Sequence, residues 1–266
     1  MPDIAAAVED LTAARRRVRD EHRATEKQRR GFEQFRRVVV ETDPVSVGGA
    51  ERALSAGEAT AAAATTDDRC RRVRSAFEEQ VAPHVDGEAA ADVRTALASE
   101  LSAEVAVALA SEGGGNRFTE PLQRAILTHV EQRLAESDVM LRTLDRERAS
   151  LDDAVETLKS VRASLPAADA ATVILADDET LWKRRRRIES LEADLEAAIE
   201  ARQSTLDSVT ASEVKAGIGH DTVVEYLFGD RETTYPALDA LLRGVRECQR
   251  RRDRFDEALD DEASGH

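Results

Sequence analysis

Chemistry at neutral pH needs histidines, cysteines or clustered carboxylates at workable spacing, and this chain offers few. Its histidines are His22, His84, His129, His220 and His266. None forms an HExxH pair, and none stands at ligand spacing from another His or Cys. His129 falls one residue before an apolar seam position, which predicts a half-buried structural imidazole. Cys70 and Cys248 are the two cysteines. They form no CxxC, so no zinc site is expected and a reduced thiol pair is. No phosphate loop, dinucleotide fingerprint or nucleophile elbow is present. "GGGN" at 113–116 precedes a helix, but no strand leads into it and no Lys follows, so it reads as a loop. Asp177, Asp178 and Glu179 read as helix-start charges. The expectation is no catalytic residue, no metal and no cofactor.

Cations are the other candidate chemistry. Arginine runs occur at 15–19, 69–74, 183–187 and 250–254. On a helix, successive residues advance by about 100°, so the five cations Lys183 to Arg187 circle the axis and make no stripe. Arg185 can pair with Glu189 one turn on. The first helix weighs more: between residues 4 and 39 it holds ten basic residues against six acidic ones. Arg15, Arg16, Arg19 and Arg23 are therefore the candidate contacts, for nucleic acid or for an acidic partner helix. No aromatic residue near them offers a stacking platform for single strands.

The elements that carry these residues are expected to be helices. Aromatic residues make up only 3% of the chain and charged residues 34%, so the apolar seams must come from Leu, Val and Ala, which suits long helices. Ile4, Leu11, Val18, Thr25, Phe32 and Val39 recur every seven residues, predicting one helix over 3–41. Residues 42–66 are small and repetitive and read as a flexible linker. Residues 67–118 read as an insert of short helices: Asp67 or Asp68 caps one with Val73, Phe77 and Val81 on a face, and Val93, Leu97, Leu101, Val105 and Leu109 follow.

Thr119 and Pro121 open a helix running to Leu165. Its seam positions are Leu127, Leu134, Leu141, Arg148 and Val155, and then Val130, Ser137, Leu144, Leu151, Leu158 and Leu165. A helix over 178–214 and a last one over 235–260, capped by Thr234, complete residues 119–266 as one bundle. The short connection after Leu165 predicts that the second and third long helices pack antiparallel as a hairpin. The fold class expected is all-α: long antiparallel coiled-coil helices in an elongated helical bundle with short-helix inserts.

The formal net charge of -15, with lysine only at Lys27, Lys159, Lys183 and Lys215, matches the composition of proteins from salt-loving archaea. Molar salt screens such self-repulsion to a few ångströms. No stretch is apolar enough for a membrane span and no leader pattern opens the chain, so a cytoplasmic protein is expected.

The N-terminal "ARRRVRDEHRATEKQRRGFEQFRRVV" (14–39) and C-terminal "EYLFGDRETTYPALDALL" (225–242) resemble an uncharacterised, haloarchaea-restricted coiled-coil family known only as a domain of unknown function. Tyr226 with "TYPAL", Thr234 to Leu238, is the most specific part. The resemblance implies Arg/Glu-rich coiled-coil chains of similar length and no activity, cofactor or catalytic residue. The function expected is that of a non-catalytic structural or interaction protein binding itself or another helical protein. The alternative is a nucleic-acid-associated protein using the Arg-rich first helix.

Overall fold

The computed structural model describes residues 4–45, 59–85, 92–110, 117–169, 176–208 and 210–264. The fold is all-α, with no strand among the described residues. The helices are α1 (Ile4–Glu41), α2 (Ala59–Gln80), a 3-10 turn (Ala82–His84), α3 (Val93–Glu100), α4 (Ala103–Ala110) and α5 (Glu120–Ser164). They are followed by α6 (Asp178–Asp207), α7 (Ala211–Ala216), α8 (His220–Phe228) and α9 (Pro236–Ser264). None is long and apolar enough to cross a membrane.

The chain divides into two compact units that cut across the expected segments. The first comprises residues 1–22 and 142–266, the second residues 23–141. Both α1 and α5 therefore contribute to each unit, where residues 119–266 were expected to form one bundle.

In the second unit the core is apolar and aromatic. Phe32, Phe35 and Val39 of α1 meet Val73, Phe77 and Val81, and Leu97, Leu101, Val105 and Leu109 close over them. Phe35 and Phe77 pack edge to face, with centroids 5.6 Å apart. The α2 helix starts at Ala59, not at Asp67 or Asp68, so residues 59–66 of the expected linker are helical. Ala61 to Ala64 have the highest intrinsic helix propensity and extend the helix backwards. The rest of that linker, and the "GGGN" loop, lie outside the described residues. Leu101 and Ser102 separate α3 from α4, and the Ser102 hydroxyl accepts from the Val105 N–H at 3.2 Å. Gln123 caps the end of α1, donating to the carbonyls of Val39 at 2.9 Å and Thr42 at 3.1 Å.

In the first unit α6 packs most closely on α9. The pair is antiparallel. The Arg185 Nε donates to Asp256 at 2.5 Å, Arg252 to Glu192 at 2.5 Å, and Gln249 to Glu192 at 3.1 Å. Gly244 of α9 lies against both α5 and α6: a Cβ there would be 2.9 Å from Leu158 and 3.1 Å from Leu195. The α5 and α6 helices run antiparallel as expected, since Arg202 meets Glu147 and Ser150 while Leu195 and Leu158 come together at Gly244, and a cleft opens along one side of the pair. On α5 the expected row Val130, Ser137, Leu144, Leu151 and Leu158 is buried, and the correction concerns its companion row. In the first unit that companion row is Glu147, Ala154 and Val161, three residues after Leu144, Leu151 and Leu158 and not three before them. Val155 of the expected seam is also buried, but Arg148 is half exposed.

The helix expected over 178–214 ends at Asp207, and Ser208 is extended. Beyond it "TASE" forms a reciprocal cap on α7. The Thr210 N–H donates to Glu213 at 2.6 Å, and the Glu213 N–H donates to the Thr210 hydroxyl at 3.3 Å. The last helix begins at Pro236 as the missing N–H allows, with the Tyr235 carbonyl, and not Thr234, taking the first bond from Asp239 at 3.1 Å.

Each unit also holds two cross-helix polar pairs between α1 and α5. In the first unit Arg15 pairs with Asp152, and His22 stands 3.6 Å from Asp145. In the second, Arg29 pairs with Asp138 at 2.7 Å and Arg36 with Glu131 at 3.5 Å. Seven residues forward on α1 correspond to seven back on α5, the relation of antiparallel neighbours.

Candidate functional site

The most concentrated polar chemistry is inside the first unit. Glu147 of α5 occupies a seam position that a leucine would fill. Its Oε2 accepts from Arg202 Nη1 at 2.7 Å and its Oε1 from Arg202 Nη2 at 3.1 Å, a forked pair. His220 Nε2 lies 2.8 Å from the same Oε2. All three side chains are buried: Glu147 and His220 are 0% exposed and Arg202 2%. Arg202 also donates to the Ser150 hydroxyl at 3.0 Å. Burial alone would push the Glu147 carboxyl up. The hydrogen bond from His220 and the charge of Arg202 outweigh it and hold the carboxyl below its ordinary 4.5.

A second buried carboxylate lies near the first. Glu213, 3% exposed, pairs with Arg146 and accepts from the Thr143 hydroxyl at 3.2 Å. Arg146 reaches the Ser208 hydroxyl at 3.4 Å. The Glu147 and Glu213 clusters together tie α5, α6, α7 and α8.

A carboxylate against an imidazole is the orienting half of a nucleophilic relay, which needs a hydroxyl or thiol on the other ring nitrogen. His220 Nδ1 is buried and has no hydrogen-bond partner among the described residues. Both oxygens of Glu147 are already held by Arg202. The three side chains clamp α5, α6 and α8 to one another, and removing any member leaves a buried charge or dipole unmatched.

Beside the clamp, α5 and α6 line a cleft of about 660 Å³. Ala149, Ala154, Ala198 and Ala201 form much of its wall, Asp153 and Asp194 stand on it, and Leu241 of α9 lies at it. No group of three or more His, Cys, Asp or Glu among the described residues is placed to hold a metal ion. Cys70 and Cys248 are both buried, unbridged, and in different units. Burial, with Glu192 and Glu247 nearby, pushes the Cys248 thiol up to about 11, so it is a poor nucleophile.

The candidate arginines separate by environment. Arg15 is engaged with Asp152. Arg16, Arg19 and Arg23 are exposed. In the 183–187 run, Lys183 pairs with Glu179 at 2.6 Å, and Arg185 binds Asp256 and Glu189 and lies 5.4 Å over the Trp182 ring. Arg186 and Arg187 are exposed. The run surrounds the helix and belongs in part to the α6–α9 contact. His129 is half-buried.

Sequence reasoning missed Glu147, Arg202 and Glu213, and passed over His220. The signals were present. Glu147 lies three residues after Leu144 and four before Leu151, where a seam residue belongs, and Thr210 to Glu213 spell a capping box.

The chain belongs to the family described as "Domain of unknown function (DUF7260)", which matches residues 9–252. No curated protein and no solved structure matches it.

Proposed function

We propose that this member of the family is a non-catalytic, cytosolic helical protein that works by holding a copy of itself or another helical protein. One observation carries the reading. The buried ionisable groups of the first unit, Glu147, Arg202, His220 and Glu213, face one another across helices and bind together the elements that present the outer surfaces. Charge spent on internal clamping is the chemistry of a scaffold. The acid excess and the preference for arginine support a salt-rich interior as its setting.

The test is affinity capture of the full chain from its native host in molar salt, with and without nuclease. Protein partners, or a second copy, that survive nuclease support the reading. Recovery of nucleic acid alone would replace it.

A second reading, association with nucleic acid through α1, is favoured by the exposure of Arg16, Arg19 and Arg23. Binding of a labelled duplex at stepped salt decides it. If phosphates are the ligand, Arg16→Gln and Arg19→Gln each lower the salt slope by about 1. Neutralising Arg184, Arg186 and Arg187 leaves binding nearly unchanged.

A further inference from the structure

In the second unit, the outer face of α1 carries a row of cations beyond those pairing with α5. Lys27, Arg30 and Arg37 follow at spacings of three and seven, which places them in one stripe, and all are exposed. The neighbouring row, Arg29 and Arg36, is occupied by Asp138 and Glu131. Arg30 lies 3.8 Å from Glu26. Lys27 and Arg37 make no ion pair among the described residues.

The first unit presents the opposite charge. Glu196, Glu200 and Asp207 on α6 follow at spacings of four and seven, are exposed, and make no ion pair among the described residues. The two stripes cover about 15 Å and about 17 Å of helix at ~1.5 Å per residue. Each raises its own energy by like-charge repulsion, which the other would relieve.

We propose that these stripes are two halves of a self-association contact, α1 of one copy lying on α6 of another. The proposal rests on the reading of the chain as a partner-binding protein and names the partner as a second copy. The α1 helix already shows the recognition mode, since its adjacent row meets carboxylates at seven-residue spacing on α5. A polyanion such as nucleic acid fits the stripe less well, because Glu26 and Glu33 flank it on the same helix.

Sedimentation velocity of the full chain across concentration, at low and molar salt, tests this. The wild-type chain should self-associate in molar salt and more tightly as the salt is lowered. Reversing one stripe (K27E, R30E and R37E together) or the other (E196R, E200R and D207R together) should each weaken association about tenfold or more. Circular dichroism confirms that the helices persist. Mixing the two reversed proteins should restore one-to-one association, a rescue that misfolded variants cannot give. A wild-type chain that associates as well after either reversal overturns this contact while leaving the partner-binding reading standing. A wild-type chain that stays monomeric and captures no protein overturns both. Nucleic acid that co-purifies with the wild type and is lost with the K27E, R30E and R37E variant would assign the α1 stripe to nucleic acid instead.

Discussion

The two units share α1 and α5 and both bury an apolar core, but the first also encloses a cluster of ions. Where α1 supplies Phe32 and Phe35, the second unit closes over aromatic rings and leucines. Where α5 supplies Glu147, the first unit encloses an arginine, a histidine and a second carboxylate. A long helix can thus keep one seven-residue phase while an ion joins the apolar residues it buries. The two units also contrast in how partners set a carboxyl's character. Glu147 has two strong partners and is held below its ordinary value. Glu100, at the edge of the second unit, is desolvated with Arg133 3.4 Å away, and burial pushes it up.

The largest expected effects come from breaking each interior. Glu147→Ala leaves Arg202 buried without its counter-charge and should cost about 3–5 kcal/mol. Phe77→Ala in the second unit should cost a similar ~3–5 kcal/mol through lost burial and a cavity. Hydrogen exchange separates them. Glu147→Ala should expose amides of α6 and α8, and Phe77→Ala those of α2. Equal loss of protection in both units from either change would show that they open as one. Joint replacement of Glu147 by Met, Arg202 by Leu and His220 by Phe should recover much of the loss, because an apolar cluster can replace a buried ion pair.

Close approach gives the next effect. A Cβ on Gly31 would lie 2.1 Å from the carbonyl oxygen of Gln80, so Gly31→Ala must push backbone aside. The expected cost is about 1–3 kcal/mol. Gly244→Ala in the first unit meets only the ends of Leu158 and Leu195, which can turn. The gain of about 1 kcal/mol in helix propensity offsets that contact, so the change should be near neutral. Thermal unfolding of both variants in high salt compares them, and a larger loss at Gly244 than at Gly31 would contradict the geometry.

Acid should move the two units in opposite directions. For Glu147 the folded value lies below 4.5, so its contribution is complete above that pH and is lost as pH falls through the folded value. For Glu100 the folded value lies above 4.5, so its contribution is present below that pH and is lost as pH rises through the folded value. Exchange protection, corrected for the intrinsic rate, should fall in α6 and α8 on acidification and rise in α3. Glu147→Gln should flatten the first response.

What was legible in the sequence was local. The span of α1, the Thr119 and Pro121 start of α5, and the Leu97 to Leu109 face follow from periodicity and caps. Partner choice was not legible in the same way. Nothing in the spacing of Leu191 and Leu195 says that Gly244 of α9 will come up against Leu195 of α6 and Leu158 of α5 together. Glu147 was hidden because a charge at a seam position looks like an error of register until Arg202 and His220, 55 and 73 residues away, are seen to answer it.

The smallest effect concerns the pairs that α1 and α5 make in each unit. Arg15 with Asp152, and Arg29 with Asp138, have side chains 31% to 44% exposed, so water and salt screen them. A double-mutant cycle to Ala should give a coupling of about 0.2–1 kcal/mol for each pair. The coupling should shrink in molar salt, where the screening length is about 3 Å. The two cycles should agree, because both pairs have similar exposure whatever their unit encloses. If the Arg15–Asp152 coupling were much the larger, the buried ions nearby would be strengthening the surface pair, and the contrast between the units would reach their outer faces. If both couplings survived molar salt undiminished, the pairs would be fixing helix register, and α1 would owe its place on α5 to charge as much as to its apolar seam.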